Sequence, residues 1–145
     1  EGGWGIEVVN EAKKYIKLNK LEDRIHIIYS DVFSVEIDHK FDVIFMSNFL
    51  QAFKKKEGQI ILKKSYDWLK SKGIVAIQDN FLDEKRLSPP FNTLFDFYLN
   101  LESPNARLYS FQEINEILLN AGFTKIKKND ILFGMSHIIS VKEGE

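Results

Sequence analysis

The run Phe41-Asp42-Val43-Ile44-Phe45-Met46, closed by Ser47-Asn48, decides how this chain is read. It is short, largely apolar and rich in β-formers, so it predicts a strand. Its nearly unbroken apolar character predicts burial on both faces, as in a parallel sheet. Small polar residues then end it. The same sentence recurs on either side. Upstream, RIHIIY at residues 24–29 predicts a strand stopping at Ser30-Asp31. Downstream, IVAIQ at residues 74–78 predicts a strand stopping at Asp79-Asn80. Helical periodicity fills the gaps. Residues 7–18 place Val8, Ala12 and Ile16 at i, i+4 and i+8. Residues 57–70 place Ile61, Leu62, Ser65, Tyr66, Trp68 and Leu69 on or near one face, with Gly73 as the stop signal. Strands alternating with helices predict an α/β fold.

The C-terminal part adds two helices and a hairpin. Ser88-Pro89 reads as an N-cap with proline at the first helical position, opening a helix that carries Phe91, Leu94, Phe95, Tyr98 and Leu101. Ser110-Phe111-Gln112-Glu113 is a capping box. Its helix aligns Phe111, Ile114, Ile117, Leu118 and Ala121 and ends at Gly122. Residues 123–128 and 131–142 predict two antiparallel strands joined at Asn129-Asp130. With no repeat, low-complexity tract or internal boundary, residues 1–145 read as a single domain.

Composition narrows the function. Lys plus Arg is 20 against 21 for Asp plus Glu, a formal charge of −1, which speaks against a nucleic-acid or anionic-membrane binder. Lys54-Lys55-Lys56, the only charge run, reads as a solvated helix entrance. There is no cysteine, hence no disulfide, thiolate metal site or cysteine nucleophile, which suits a cytoplasmic protein. No apolar run reaches the ~18 residues that span a bilayer, and no signal peptide is expected. His26, His39 and His137 fit no metal motif and read as structural or surface residues.

Ser30-Asp31, Ser47-Asn48 and Asp79-Asn80 follow three apolar runs. In an open α/β sheet the ligand crevice lies beyond the carboxyl ends of the strands, so parallel strands would gather the three groups on one edge. Alternatively, Asp, Asn and Ser simply terminate strands and cap helices. Asp31 followed by Val32-Phe33 suits an adenosine: the acid accepts from an amino or hydroxyl group and the apolar side chains cover the ring.

From residue 7 to 123 the chain resembles the class I S-adenosylmethionine-dependent methyltransferases. Its nearest likeness is to the small-molecule O-methyltransferases of the caffeate and polyketide type. The resemblance is carried by Leu21-Glu22-Asp23-Arg24-Ile25, Ser30-Asp31-Val32-Phe33 and the run from Phe41 to Leu50. It continues through Ile61-Leu62-Lys63-Lys64, Leu69-Lys70-Ser71-Lys72-Gly73, Val75-Ala76-Ile77-Gln78-Asp79 and Asn120-Ala121-Gly122-Phe123. It implies a Rossmann-like sheet, mostly parallel, with a C-terminal antiparallel hairpin. It also implies S-adenosyl-L-methionine as cofactor, a small and aromatic hydroxylated acceptor, no metal, and dimerisation as a family habit.

It implies residues as well. Asp31 would contact the adenine with Val32 and Phe33 beside the ring, and Ser47 and Asn48 would line the methionine end. Phe91, Phe95 and Tyr98 would stack on the acceptor, or pack in the core. Where many members hold a histidine base this chain has Gln51, which has no useful pKa. Catalysis would then rest on proximity, with Gln51 orienting the acceptor. Otherwise Gln51 merely continues a loop, or the chain is a non-catalytic methyltransferase-like interaction module or inactive fragment. The N-terminal strands are incomplete. Glu1-Gly2-Gly3-Trp4-Gly5 is either the tail of the family's glycine loop, with Gly3 and Gly5 near the cofactor, or a flexible terminus or cloning scar. Two strands expected to separate residues 24–29 from residues 41–46 are missing, so the chain reads as a partial catalytic domain with unpaired backbone and apolar faces.

Overall fold

A computed structural model describes residues 3–131 and 135–144. The chain divides into two compact units, residues 1–36 and 37–145.

The first unit is built on α1 (Gly3–Leu18). Val9, Ala12 and Ile16 are half-buried, whereas Val8 is exposed. No described residue from 5 to 36 is fully buried, since so short a segment has too little apolar surface to enclose a core. The strand expected at residues 24–29 is absent: that stretch joins no ladder of the sheet. β-branched residues favour extended backbone, but a strand exists only by pairing.

The second unit is an α/β layer pair. Its strands are β1 (Phe41–Ser47), β2 (Leu69–Leu82), β3 (Tyr109–Ser110), β4 (Phe123–Asp130) and β5 (Met135–Lys142). Its helices are α2 (Lys55–Trp68), α3 (Pro90–Glu102) and α4 (Phe111–Ala121). The sheet is mixed, in the order β1-β2-β5-β4 with β3 beside β2. β1 and β3 run parallel to β2; β5 runs antiparallel to β2 and to β4, giving the expected C-terminal hairpin. Ile131 N–H donates to Met135 O at 2.8 Å, and Asn129-Asp130, the expected turn, lies inside β4.

One face of the sheet carries the core. Ile61, Leu62 and Ser65 of α2 and Ile114, Ile117, Leu118 and Ala121 of α4 are buried, as are Met46, Val75, Ile77 and Ile138 of the strands. Burial of about ten such side chains at ~1.5–3 kcal/mol each is the main favourable term. The other face is open: Val43 and Phe45 are 55% and 61% exposed. The expectation that β1 is covered on both faces therefore fails: Met46 is buried while Val43 and Phe45 face solvent.

Local signals decide the ends. The capping box at Ser110 forms as read: Ser110 Oγ accepts from Glu113 N–H at 3.1 Å and Glu113 Oε2 accepts from Ser110 N–H at 2.9 Å. Gly122 closes α4 with φ +103°. Three expected boundaries move. α2 ends at Trp68 rather than at Lys70, because Leu69 already pairs with Phe41 and the ladder takes over. β2 runs on through Asp79-Asn80 to Leu82, where β3 pairs with it. Pro89, not Ser88, is the N-cap of α3, and no side chain caps that helix.

Candidate active site

Parallel pairing of β1 with β2 matches Ser47 to Gln78, so Ser47-Asn48 and Asp79-Asn80 lie side by side at one end of the two strands. Asn48 takes a positive φ of 49°, which asparagine tolerates better than most residues, and its N–H donates to Gln78 O at 2.9 Å. That kink feeds the 3-10 turn Leu50–Ala52.

Gln51 lies at the centre of this turn. Its main-chain N–H is near enough to the Asp79 carboxylate to oppose the rise in that group's pKa. Its carbonyl accepts from Arg107 N–H at 2.7 Å. The side chain is held less firmly: Nε2 reaches Asn48 O at 3.5 Å, and Oε1 is buried with no hydrogen-bond partner. Asn80 Oδ1 is likewise buried and unpartnered. Buried acceptors without donors are rare in folded proteins and often await a ligand or water.

Asp79 is 3% exposed. Loss of water pushes its pKa up to about 6, against the pull of the Asn80 and Gln51 N–H groups. No Lys, Arg or His among the described residues pairs with it. Tyr109 feels its charge; burial drives that phenol up to about 12, and its hydroxyl donates to Phe53 O at 2.8 Å.

α3 stands beside the end of β2 through polar ties rather than apolar packing. Buried Asn92 Nδ2 donates to Phe81 O at 2.8 Å. Asp96 accepts from Arg86 and from Leu108 N–H, both at 2.7 Å. The ring centroids of Phe91 and Phe95 are 6.2 Å apart, and those of Phe95 and Tyr98 are 6.3 Å apart. Phe91 and Tyr98 are exposed, so the core-packing alternative for this stripe does not hold.

Two of the three polar groups thus meet. The third belongs to the first unit, where Asp31 is exposed and follows no strand. Its Oδ1 accepts from Phe33 N–H at 3.0 Å, closing a turn that holds Val32 and Phe33 half-buried. Gly3 and Gly5 fall inside α1, not in a loop. A Cβ on Gly5 would come within 2.6 Å of the Tyr29 hydroxyl. The histidines behave as expected: His137 Nε2 lies 3.0 Å from Gln78 Oε1, and His39 sits beside Asp38 on the surface. No group of acidic or histidine side chains among the described residues could hold a metal ion. Nor is any described helix long and apolar enough to cross a membrane.

Sequence reasoning noted Asp79 as a strand-end residue but did not place it in the site. The available signal was an acid directly after a buried-type strand; its enclosure depends on β3 and the 3-10 turn. A cleft of about 790 Å³ lies elsewhere, between the end of β2 and the hairpin, lined by Phe81, Ser88, Phe111, Lys128 and Met135 among others; it touches neither Gln51 nor Asp79.

A partly parallel α/β sheet whose adjacent strand ends carry an open serine, a kinked asparagine and a buried acid has the arrangement at which open α/β sheets form a ligand crevice. The model of the O-methyltransferase domain matches residues 6–124, and the chain belongs to that family. Its structure superposes on an O-methyltransferase candidate from Nostoc punctiforme PCC 73102 with a TM-score of 0.84, at 25% identity, covering 93% of this chain and 42% of that one. A family 2 O-methyltransferase from Planctomyces limnophilus, solved with apigenin, gives 0.79 at 22% identity, covering 94% and 40%. Human N-acetylserotonin methyltransferase, solved with S-adenosylmethionine, gives 0.70 at 16% identity, covering 91% and 44%. The chain thus spans about two-fifths of the length of the structures it matches. No curated protein matches the sequence.

Proposed function

We propose that this chain forms part of the catalytic domain of an S-adenosylmethionine-dependent O-methyltransferase acting on a small, aromatic, hydroxylated acceptor. The observation that carries the reading is the site at the ends of β1 and β2, in a chain of the O-methyltransferase family: Ser47 and Asn48 open, Gln51 above a buried acid with an oxygen lacking a donor.

Each unit has donors of its own for such a cofactor. Asp31 keeps a carboxylate oxygen for an amino or hydroxyl donor of the adenosine, with Val32 and Phe33 against the ring. Ser47 and Asn48 offer oxygens to the amino-acid end. When bound, the cofactor supplies a methyl group on a sulfonium, an electrophile already activated. The chain's own part is placement. Gln51 orients the acceptor, and the Phe91, Phe95 and Tyr98 rings offer an aromatic surface.

Calorimetric titration of the chain with S-adenosylhomocysteine tests this. The expected result is micromolar binding that Asp31→Ala weakens roughly tenfold, the loss of one charge-assisted hydrogen bond. Absence of binding favours the second reading, a methyltransferase-like interaction module, which the exposed apolar residues of β1 and α3 also support.

A further inference from the structure

We propose that Asp96 and Arg86 are positioning residues for the acceptor: they latch the aromatic face of α3 to the turn that carries Gln51. The inference rests on the functional reading above, in which those two elements serve the same acceptor.

Two consecutive main-chain N–H groups make the join. Arg107 N–H donates to Gln51 O at 2.7 Å, and Leu108 N–H donates to Asp96 Oδ1 at 2.7 Å. One dipeptide therefore holds the turn after β1 with one N–H and α3 with the next. The dipeptide is itself anchored. Leu108 is wholly buried, and Arg107 Nη2 donates to both oxygens of Glu113, at 2.7 and 2.9 Å.

α3 depends on this join because apolar burial does not hold it. Its one fully buried residue is Asn92, which donates to Phe81 O at 2.8 Å. Phe91, Leu94, Phe97, Tyr98 and Leu101 are each more than half exposed. A surface helix ordinarily turns its apolar stripe to the core. One that turns polar groups inward is held by directed bonds, which are lost when a single partner is removed.

Arg86 makes the Asp96 bond a fixed one. Its Nη2 donates to Asp96 Oδ2 at 2.7 Å and to Leu108 O at 3.2 Å, so it grips the acid and the residue whose N–H that acid accepts. Its Nη1 lies 3.6 Å from Glu113 Oε2, which joins α4 to the same cluster. The Asp96 side chain is only 15% exposed, so solvent screens the pair weakly. Arg86 stands at φ +59°, a left-handed conformation that costs a non-glycine residue energy and persists where its surroundings hold it. Thr93 Oγ1 of α3 donates to its carbonyl at 3.4 Å.

The test combines methylation of catechol as a probe acceptor, S-adenosylhomocysteine calorimetry and amide hydrogen exchange. Arg86→Ala should raise the KM for catechol about tenfold, the loss of one charge-assisted hydrogen bond, and leave S-adenosylhomocysteine affinity within about twofold. Arg86→Lys keeps the charge but not the fork, so its KM should rise only about threefold. Arg86→Ala combined with Asp96→Asn should be no worse than Arg86→Ala alone, because both break the same pair. In the ligand-free protein, Arg86→Ala should speed exchange at Arg107, Leu108 and α3 and leave the buried amides of β2 and α4 unchanged; a general loss of stability would speed those core amides instead. In the wild-type chain, saturating catechol with S-adenosylhomocysteine should slow exchange at Arg107 and Leu108, and this result stands even where the variants fail to fold. An Arg86→Ala enzyme with wild-type KM for catechol overturns the proposal. So does an equal loss of S-adenosylhomocysteine affinity, or wild-type exchange at those two amides that catechol leaves unmoved. Failure of every form to bind S-adenosylhomocysteine defeats the functional reading, and the ligand-free exchange pattern then decides the latch by itself.

Discussion

The main-chain N–H of Gln51 faces the carboxylate of Asp79, 28 residues on, and with the Asn80 N–H it opposes the rise in pKa that burial imposes on that group. The energetic consequence of that burial can be measured without any ligand. Unfolded, the carboxyl ionises near 3.8; folded, near 6. Between those values the native state binds the proton more readily than the unfolded chain, so this group's contribution to stability falls as pH rises and levels off above about 6. Asp79→Asn removes that penalty. Urea unfolding should show the variant gaining about 2 kcal/mol on the wild type between pH 4 and pH 8, from a shift of about two pKa units. A gap that does not widen with pH is the contrary result.

Gln51→Ala tests placement of the acceptor. If Gln51 orients the acceptor, the variant should raise the KM for a phenolic acceptor several-fold, about 1 kcal/mol for one hydrogen bond. An unchanged rate and KM would remove Gln51 from the mechanism.

Gly122 closes α4 at φ +103°, and a Cβ there would lie 3.1 Å from the Tyr66 ring, which itself meets Phe123 edge-on at 5.1 Å. Gly122→Ala should therefore cost roughly 1–2 kcal/mol, from left-handed backbone strain and from displacing Tyr66. Thermal melts of the two proteins give the comparison; a stabilised variant would mean that the position accepts a side chain.

The capping box at Ser110 is fused to an ion pair, since Glu113 also accepts from Arg107 Nη2 at 2.7 and 2.9 Å. Ser110→Ala should cost about 1 kcal/mol, the usual value of a lost N-cap. Glu113→Ala should cost more, roughly 2 kcal/mol, because it also leaves a half-buried arginine without its carboxylate. Denaturant midpoints measure both, and an equal loss would show that the arginine contact is worth little.

Arg107 ties this ion pair to the candidate site, because its main-chain N–H holds Gln51 O. No spacing rule announces such a link. The polar strand ends, by contrast, were legible, because a polar pair after an apolar run is a local pattern. Their pairing followed from the single inference that β1 and β2 are parallel. A Gly-rich start is locally compatible with a loop, but α1 propagates through Gly3 and Gly5.

What the linear order of residues determined on its own was the alternation of elements in residues 37–145, the cap at Ser110, the stop at Gly122 and the family. Each of these is set by neighbours within a few positions or by motif order. What only the tertiary structure decided was which strands exist and which faces are covered. RIHIIY is as strand-like as FDVIFM, yet only the latter finds a partner, because hydrogen-bonded ladders require a second chain segment that no local propensity supplies. The buried charge of Asp79 belongs to the same class: desolvation is a property of everything packed around a residue.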